Sequence, residues 1–161
     1  MTRLGVYIDL SNLYYCIGKR YEGRKLSYAK YLEFIEGHMG NIVLSHAYGA
    51  QMNNEAEAFI ARLQDLGFET HYKKPKQYES AETFKRKADW DVGMAVDIID
   101  DVLESRIDRV ILGSADGDML PVLDWCKARD VTVIILACGI SKDLKLAART
   151  YFEIAESLLE K

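Results

Sequence analysis

Five short apolar runs recur along the chain, at residues 4–10, 42–48, 68–72, 109–112 and 131–136. Each alternates too little for a strand with one wet face, and reads instead as a strand buried on both faces, as parallel sheets require. Helical patterns lie between them. Ala56, Phe59, Ile60 and Leu63 recur at i, i+3, i+4 and i+7 and stop at Gly67, a natural residue just past a helix end. Val92, Ala95, Val96, Ile99 and Leu103 form a second apolar stripe, expected to face the core. Met119, Val122, Leu123 and Cys126 form a third, with Pro121 in the first turn, where its missing N–H costs nothing.

The rest of the chain is less regular. Leu13 to Ile17 read as a short turn after the first strand, followed by a glycine-containing loop with Lys19, Arg20, Gly23, Arg24 and Lys25, then a helix from about Ser27 to Ile35. The chain closes with a short helix at 141–148, an edge strand at 151–154 and a helical tail. Strands that alternate with helices build βαβ units with right-handed crossovers. The expected fold is therefore an α/β, three-layer α/β/α sandwich with a mainly parallel sheet. At 161 residues the chain is long enough for one well-buried core and short for two, so residues 1–161 are expected to form a single domain.

Composition narrows the chemistry. Cys16, Cys126 and Cys138 are odd in number and lack CxxC spacing, and His38, His46 and His71 follow no ligand pattern, so neither zinc nor disulfides are expected. No run reaches the length of a membrane span and the opening residues lack a signal-peptide layout; the expectation is a cytoplasmic protein with no membrane partner. The net charge of −4 argues against a nucleic-acid binder, but its distribution does not. Residues 73–87 carry Lys73, Lys74, Lys76, Lys85, Arg86 and Lys87 against Glu79 and Glu82, whereas residues 89–104 carry six acids and no base.

The acids hold the main signal. Asp9 and Asn12 follow the first apolar run, and Asp116 and Asp118 follow the run at 109–112. If these are neighbouring parallel strands, their ends open onto one crevice, where open α/β sheets bind ligands. Asp91 opens a crossover helix on the same side. Taken singly, each acid is explained as a turn or helix cap, with Asp89 capping the helix at Asp91. Taken together, they would repel by roughly 4 kcal/mol per close pair at an effective dielectric near 20, and a divalent cation offsets that most simply.

Three segments resemble the blocks of NYN domains, specifically the LabA-like branch, which is related to the PIN-like ribonucleases. Val6-Tyr7-Ile8-Asp9-Leu10-Ser11-Asn12 resembles the hydrophobic-IDxxN opening. Lys87-Ala88-Asp89-Trp90-Asp91-Val92-Gly93-Met94-Ala95-Val96-Asp97 resembles the (K)xDWDVxxAxD segment, and residues 113–122 the SGDGDFxPL block, with Ala115 for the usual Gly and Met119 for the usual aromatic. The resemblance implies a PIN-like Rossmannoid sheet of order 3-2-1-4-5, to which the edge strand at 151–154 would add, and Mg²⁺- or Mn²⁺-dependent hydrolysis of RNA. Asp9, Asp91, Asp116 and Asp118 would be the catalytic metal-site acids, with Asn12 a polar contact to metal or phosphate. Some branches carry another acid near the last strand, where Arg149 and Thr150 stand here.

Several other residues have two readings. Asp97 lies six positions after Asp91, about 120° around a helix axis, and either supports the site from behind or faces water. Asp100, Asp101 and Glu104 read as a solvated face. Ser114 is a candidate substrate contact, without the elbow or histidine of a nucleophile. The basic residues 73–87 fit phosphate-backbone contacts to single-stranded RNA, which give affinity without sequence choice. Tyr14 and Tyr15 could stack unpaired bases, but packing is the preferred reading. The rival to a ribonuclease is a non-catalytic RNA-binding or protein-interaction module that keeps the pocket. A nucleotide-binding Rossmann domain is disfavoured by the lack of a GxGxxG or Walker motif, and an aspartyl-nucleophile phosphatase by Ser11, where a second acid would stand. Self-association is left open.

Overall fold

The structure is a computed structural model that describes residues 1–50, 54–73, 80 and 89–161. Strands β1 (Arg3–Asp9), β2 (Asn41–Ala50), β3 (Glu69–Lys73), β4 (Arg109–Gly113), β5 (Thr132–Ala137) and β6 (Thr150–Glu153) form one sheet in the order β3-β2-β1-β4-β5-β6. Every neighbouring pair is parallel. The expected order holds, including the C-terminal edge strand. At the centre, Val6, Tyr7 and Ile8 of β1 are fully buried, which is why the run shows no alternation.

Among the described residues the helices are α1 (Leu10–Arg20), α2 (Tyr28–His38), α3 (Asn54–Asp65), α4 (Asp91–Leu103), α5 (Leu120–Lys127) and α6 (Lys142–Ala148). The expected turn and the first part of the expected loop, through Arg20, are instead one 11-residue helix, α1, while Gly23, Arg24 and Lys25 lie in a non-helical connection as expected. Gly18 in α1 costs about 1 kcal/mol relative to alanine, but Leu13 and Ile17, one turn apart, are both buried, and Lys19 and Arg20 complement the helix dipole at its end. The helical tail is only a 3₁₀ turn at Glu156–Leu158. Helix α3 ends as its sequence predicts. Gly67 takes φ +98°, its N–H bonds Gln64 O at 2.9 Å, and Phe68 N–H reaches Leu63 O at 3.0 Å, a Schellman closure.

The two faces of the sheet are dressed differently. On one, Ile8 meets Tyr31 of α2 across Gly113, where any Cβ would stand 2.5 Å from Ile8 Cγ2 and 2.7 Å from Tyr31 Oη. The other face carries a row of rings. Tyr7 and His46 are register partners on β1 and β2 and stack at 5.3 Å between centroids; Tyr48 and His71, partners on β2 and β3, stack at 4.7 Å. Burial, the largest effect on His46, holds its imidazole below the usual pKa.

That ring row explains why the apolar stripe on α4 faces the wrong way for a simple core helix. Val92, Val96 and Leu103 are 79%, 58% and 64% exposed, and Met94, Ile98 and Asp101 are buried instead. The sheet beneath offers phenol groups that need acceptors, and α4 turns its acids towards them. Tyr7 Oη donates to Asp101 at 2.6 Å, and Tyr48 Oη donates to Asp97 at 2.8 Å. Asp101 is therefore no part of a solvated face; it also accepts from Arg106 at 2.9 Å. Asp100 and Glu104 are exposed, as expected. Among the described residues no helix is long and apolar enough to cross a membrane.

Candidate metal centre

Strands β1 and β4 are paired up to Ile8 and Gly113, and beyond that register the two chains turn outward over the same sheet edge. Asp9 caps α1, accepting from Asn12 N–H at 3.1 Å. Asn12 Oδ1 then accepts from Ala115 N–H at 2.9 Å, so the residue expected to touch metal or phosphate also ties the two loops together. Ser114, expected among the substrate contacts, is fully buried, and its Oγ accepts from Asp116 N–H at 3.2 Å. Its placement is that of a loop-former. Asp116 in turn caps a 3₁₀ turn at Gly117–Met119 by accepting from Asp118 N–H at 2.9 Å. The individual cap readings are thus correct for Asp9 and Asp116. Met119 and Ala115, which depart from the family pattern, are both buried beneath the loop.

Asp91 reaches the same place from another direction. Trp90 Nε1 donates to Gly49 O at 2.9 Å, which pins the start of α4 to the end of β2. Asp91 N–H donates to Asp89 Oδ1 at 2.7 Å; the cap position itself falls on Trp90, one residue later than the sequence suggested, and Asp89 takes up the first free N–H of the helix from just outside it. Lys73 Nζ lies 4.5 Å from the centre of the Trp90 ring and donates to Asp89 O at 2.9 Å, placing one residue of the basic cluster at the lip. Lys74, Lys76, Lys85, Arg86 and Lys87 lie outside the described residues.

The three strand-end and helix-start acids meet. One carboxylate oxygen from each of Asp91, Asp116 and Asp118 lies within 4.8 Å of the other two. Asp9 stands outside this trio but is felt by it: its charge, with those of Asp116 and Asp89, adds to burial in pushing Asp91 up to about 7. Burial, with the charges of Asp89 and Asp116, also raises Asp9, against the N–H groups that hold it down. Asp91 Oδ1 is buried with no hydrogen-bond partner. An unpaired, buried carboxylate oxygen facing other acids is costly unless a cation completes it. The all-oxygen donor set suits a hard divalent ion such as Mg²⁺ or Mn²⁺.

The sequence profile of the NYN domain matches residues 3–156. The chain belongs to the NYN domain family. NYN domains have a PIN-like nuclease fold, are generally associated with RNA and typically depend on a divalent metal. The fold is similar to the crystal structure of a protein of unknown function from Vibrio parahaemolyticus, with a TM-score of 0.84 and 24% identity over 99% of this chain and 96% of that one. Comparison with curated proteins finds no match.

Within this NYN domain two expectations change place. Asp97 is half-buried and belongs to neither reading alone; it is held by Tyr48 and lies beside His46 and His71. Tyr14 and Tyr15, read as packing residues, are 64% and 58% exposed on the helix that Asp9 caps. Trp90 and its bond to Gly49 were not anticipated as part of the site. The DWD order of the sequence marks the tryptophan, but only the meeting of β2 with α4 gives it an acceptor.

Proposed function

We propose that this NYN domain is a Mg²⁺- or Mn²⁺-dependent ribonuclease of the LabA-like branch, hydrolysing phosphodiester bonds in single-stranded RNA. The observation that carries the reading is the unpaired Asp91 Oδ1 buried within the Asp91, Asp116 and Asp118 trio. Those three would hold the ion, and Asp9 would add negative charge from the neighbouring helix cap. A divalent ion there would lower the pKa of an attacking water and neutralise charge on the phosphate.

The remaining parts orient RNA. Lys73 at the lip is a cation for the backbone, and the outward Tyr14 and Tyr15 rings offer faces on which unpaired bases stack, a contact worth about 1–3 kcal/mol per base. Asn12 keeps the two acid-bearing loops in register and Ser114 shapes the one that carries Asp116, which matters because misplacement by about 1 Å costs roughly a hundredfold in rate. End-labelled single-stranded RNA incubated with the purified protein tests the reading. Cleavage is expected with Mg²⁺ or Mn²⁺, leaving a 5′-phosphate and a 3′-hydroxyl, and none with a chelator. RNA bound but uncut in both ions would make the domain a binding module.

A further inference from the structure

A second cluster lies on the ring-bearing face of the sheet, built from residues that show no ligand spacing in sequence. We propose that His46, His71 and Asp97 form a nitrogen-and-oxygen site for a transition-metal ion of the Zn²⁺ class, separate from the acidic trio. His46 Nδ1 and His71 Nε2 are 3.1 Å apart, and one ligand atom from each of the three residues lies within 4.8 Å of the others. Two nitrogens bound to one tetrahedral ion at about 2.0–2.1 Å stand roughly 3.3 Å apart, so the imidazole pair is already at ligand spacing. Imidazole with carboxylate suits Zn²⁺ and its neighbours and is a poor match for Mg²⁺.

The surroundings are those of a supported site. Tyr48 Oη holds Asp97 Oδ2, and Asp101 Oδ2, which accepts from Tyr7 Oη, stands 3.7 Å from His46 Nε2, the ring nitrogen not paired with His71. A carboxylate hydrogen-bonded to the second nitrogen is the usual partner of a metal-bound histidine, and Asp101 is the residue that a small closure of this gap would bring into that role. Glu69 Oε2, 3.5 Å from His46 Nδ1, is available as a fourth ligand from the rim. His71 and Asp97 are only half-buried, which leaves a way in. The three ligands come from β2, β3 and α4, so the ion would staple the helix that begins at Asp91 to the edge of the sheet.

Co²⁺, whose tetrahedral complexes absorb in the visible, is the probe. One equivalent is expected to give that absorption in wild type and in Asp116→Asn, to be displaced by Zn²⁺ and not by Mg²⁺, and to bind at least about tenfold more weakly in His71→Phe, which keeps a ring in the stack. Imidazole ¹⁵N shifts of His46 and His71 in the wild type on adding Zn²⁺ give a reading that needs no variant. Absorption lost in Asp116→Asn but kept in His71→Phe, or imidazole signals unmoved by Zn²⁺, would overturn the proposal and leave the pair as a hydrogen bond within the stack. The outcome is independent of whether RNA is cleaved.

Discussion

Asn12 on α1 accepts the backbone N–H of Ala115, just past β4, at 2.9 Å, joining the two loops that carry Asp9 and Asp116. These acids lie on segments that diverge after parallel strands, and their charges push the segments further apart. A neutral amide can bridge them without adding to the repulsion. Asn12→Ala should strand the Ala115 N–H and lower stability by about 1–3 kcal/mol, the usual cost of a buried donor left unsatisfied. Asn12→Asp restores the acceptor but adds a charge beside the acids, so its stability should recover more with Mg²⁺ than without. Urea denaturation of both variants, with and without Mg²⁺, checks the pair; equal loss in all four conditions would remove the tie.

A second prediction concerns pH and metal together. Asp91 is raised to about 7 in the metal-free fold, from an ordinary 3.8, and Asp9 is shifted in the same direction. Between those values the folded protein keeps a proton that the unfolded chain has lost, so stability without metal should fall as pH rises through this window. An ion stabilises by binding only the folded state, and it must displace that proton. The rise in melting temperature caused by Mg²⁺ should therefore be small near pH 5 and full near pH 8, and absent in Asp9→Asn/Asp116→Asn. Mg²⁺ is the ion to use because the histidine cluster does not suit it. Equal shifts at both pH values would place the ion elsewhere.

The alternation of strands with helices and the acidic loops were legible because each rests on a local rule, apolar runs between amphipathic stripes and acids at strand ends, whereas the strand order came with the resemblance to NYN domains. What the sequence concealed was pairing at a distance. His46 and His71 are 25 positions apart, and nothing short of the β2–β3 register brings their rings together. The same register hid the inner face of α4. Val92, Val96 and Leu103 fit an apolar stripe by period alone, yet Tyr7 and Tyr48 demanded acceptors and drew Asp97 and Asp101 inward. Tyr14 and Tyr15 were misread for a related reason: only the full length of α1, anchored by Leu13 and Ile17, turns both rings outward.

The inward turn of α4 can be tested on its own. Asp101 is buried between Tyr7 Oη and Arg106, so Asp101→Ala removes an acceptor from both and should destabilise the fold by about 2–4 kcal/mol. Tyr7→Phe in the Asp101→Ala background should recover part of the loss, because the stranded phenol goes with it. Thermal unfolding of the two single variants and the double reports the coupling. Additive effects would mean that the 2.6 Å contact contributes nothing of its own.

The last prediction separates catalyst from binder. Asp91 begins α4 and leaves Oδ1 buried and unpaired among other acids, so its carboxylate is placed for the pocket and not for the fold. Asp91→Asn should keep the metal-free melting temperature or raise it above pH 7, since the repulsion from Asp116, Asp89 and Asp9 disappears. RNA should still bind through Lys73 and the exposed tyrosines, while metal-dependent cleavage should fall at least about a hundredfold, the scale on which lost electrostatic stabilisation of a transition state is felt. Asp100→Asn is the control, because Asp100 lies on the outer side of the same helix and, among the described residues, pairs with Arg106 at 2.9 Å, an exposed contact worth about 0–1 kcal/mol. Single-turnover cleavage and filter binding on wild type, Asp91→Asn, Asp100→Asn and Asp116→Asn decide it. If Asp91→Asn cuts as fast as wild type while Asp116→Asn does not, the ion is held by the β4 loop without α4, and the start of that helix has another task.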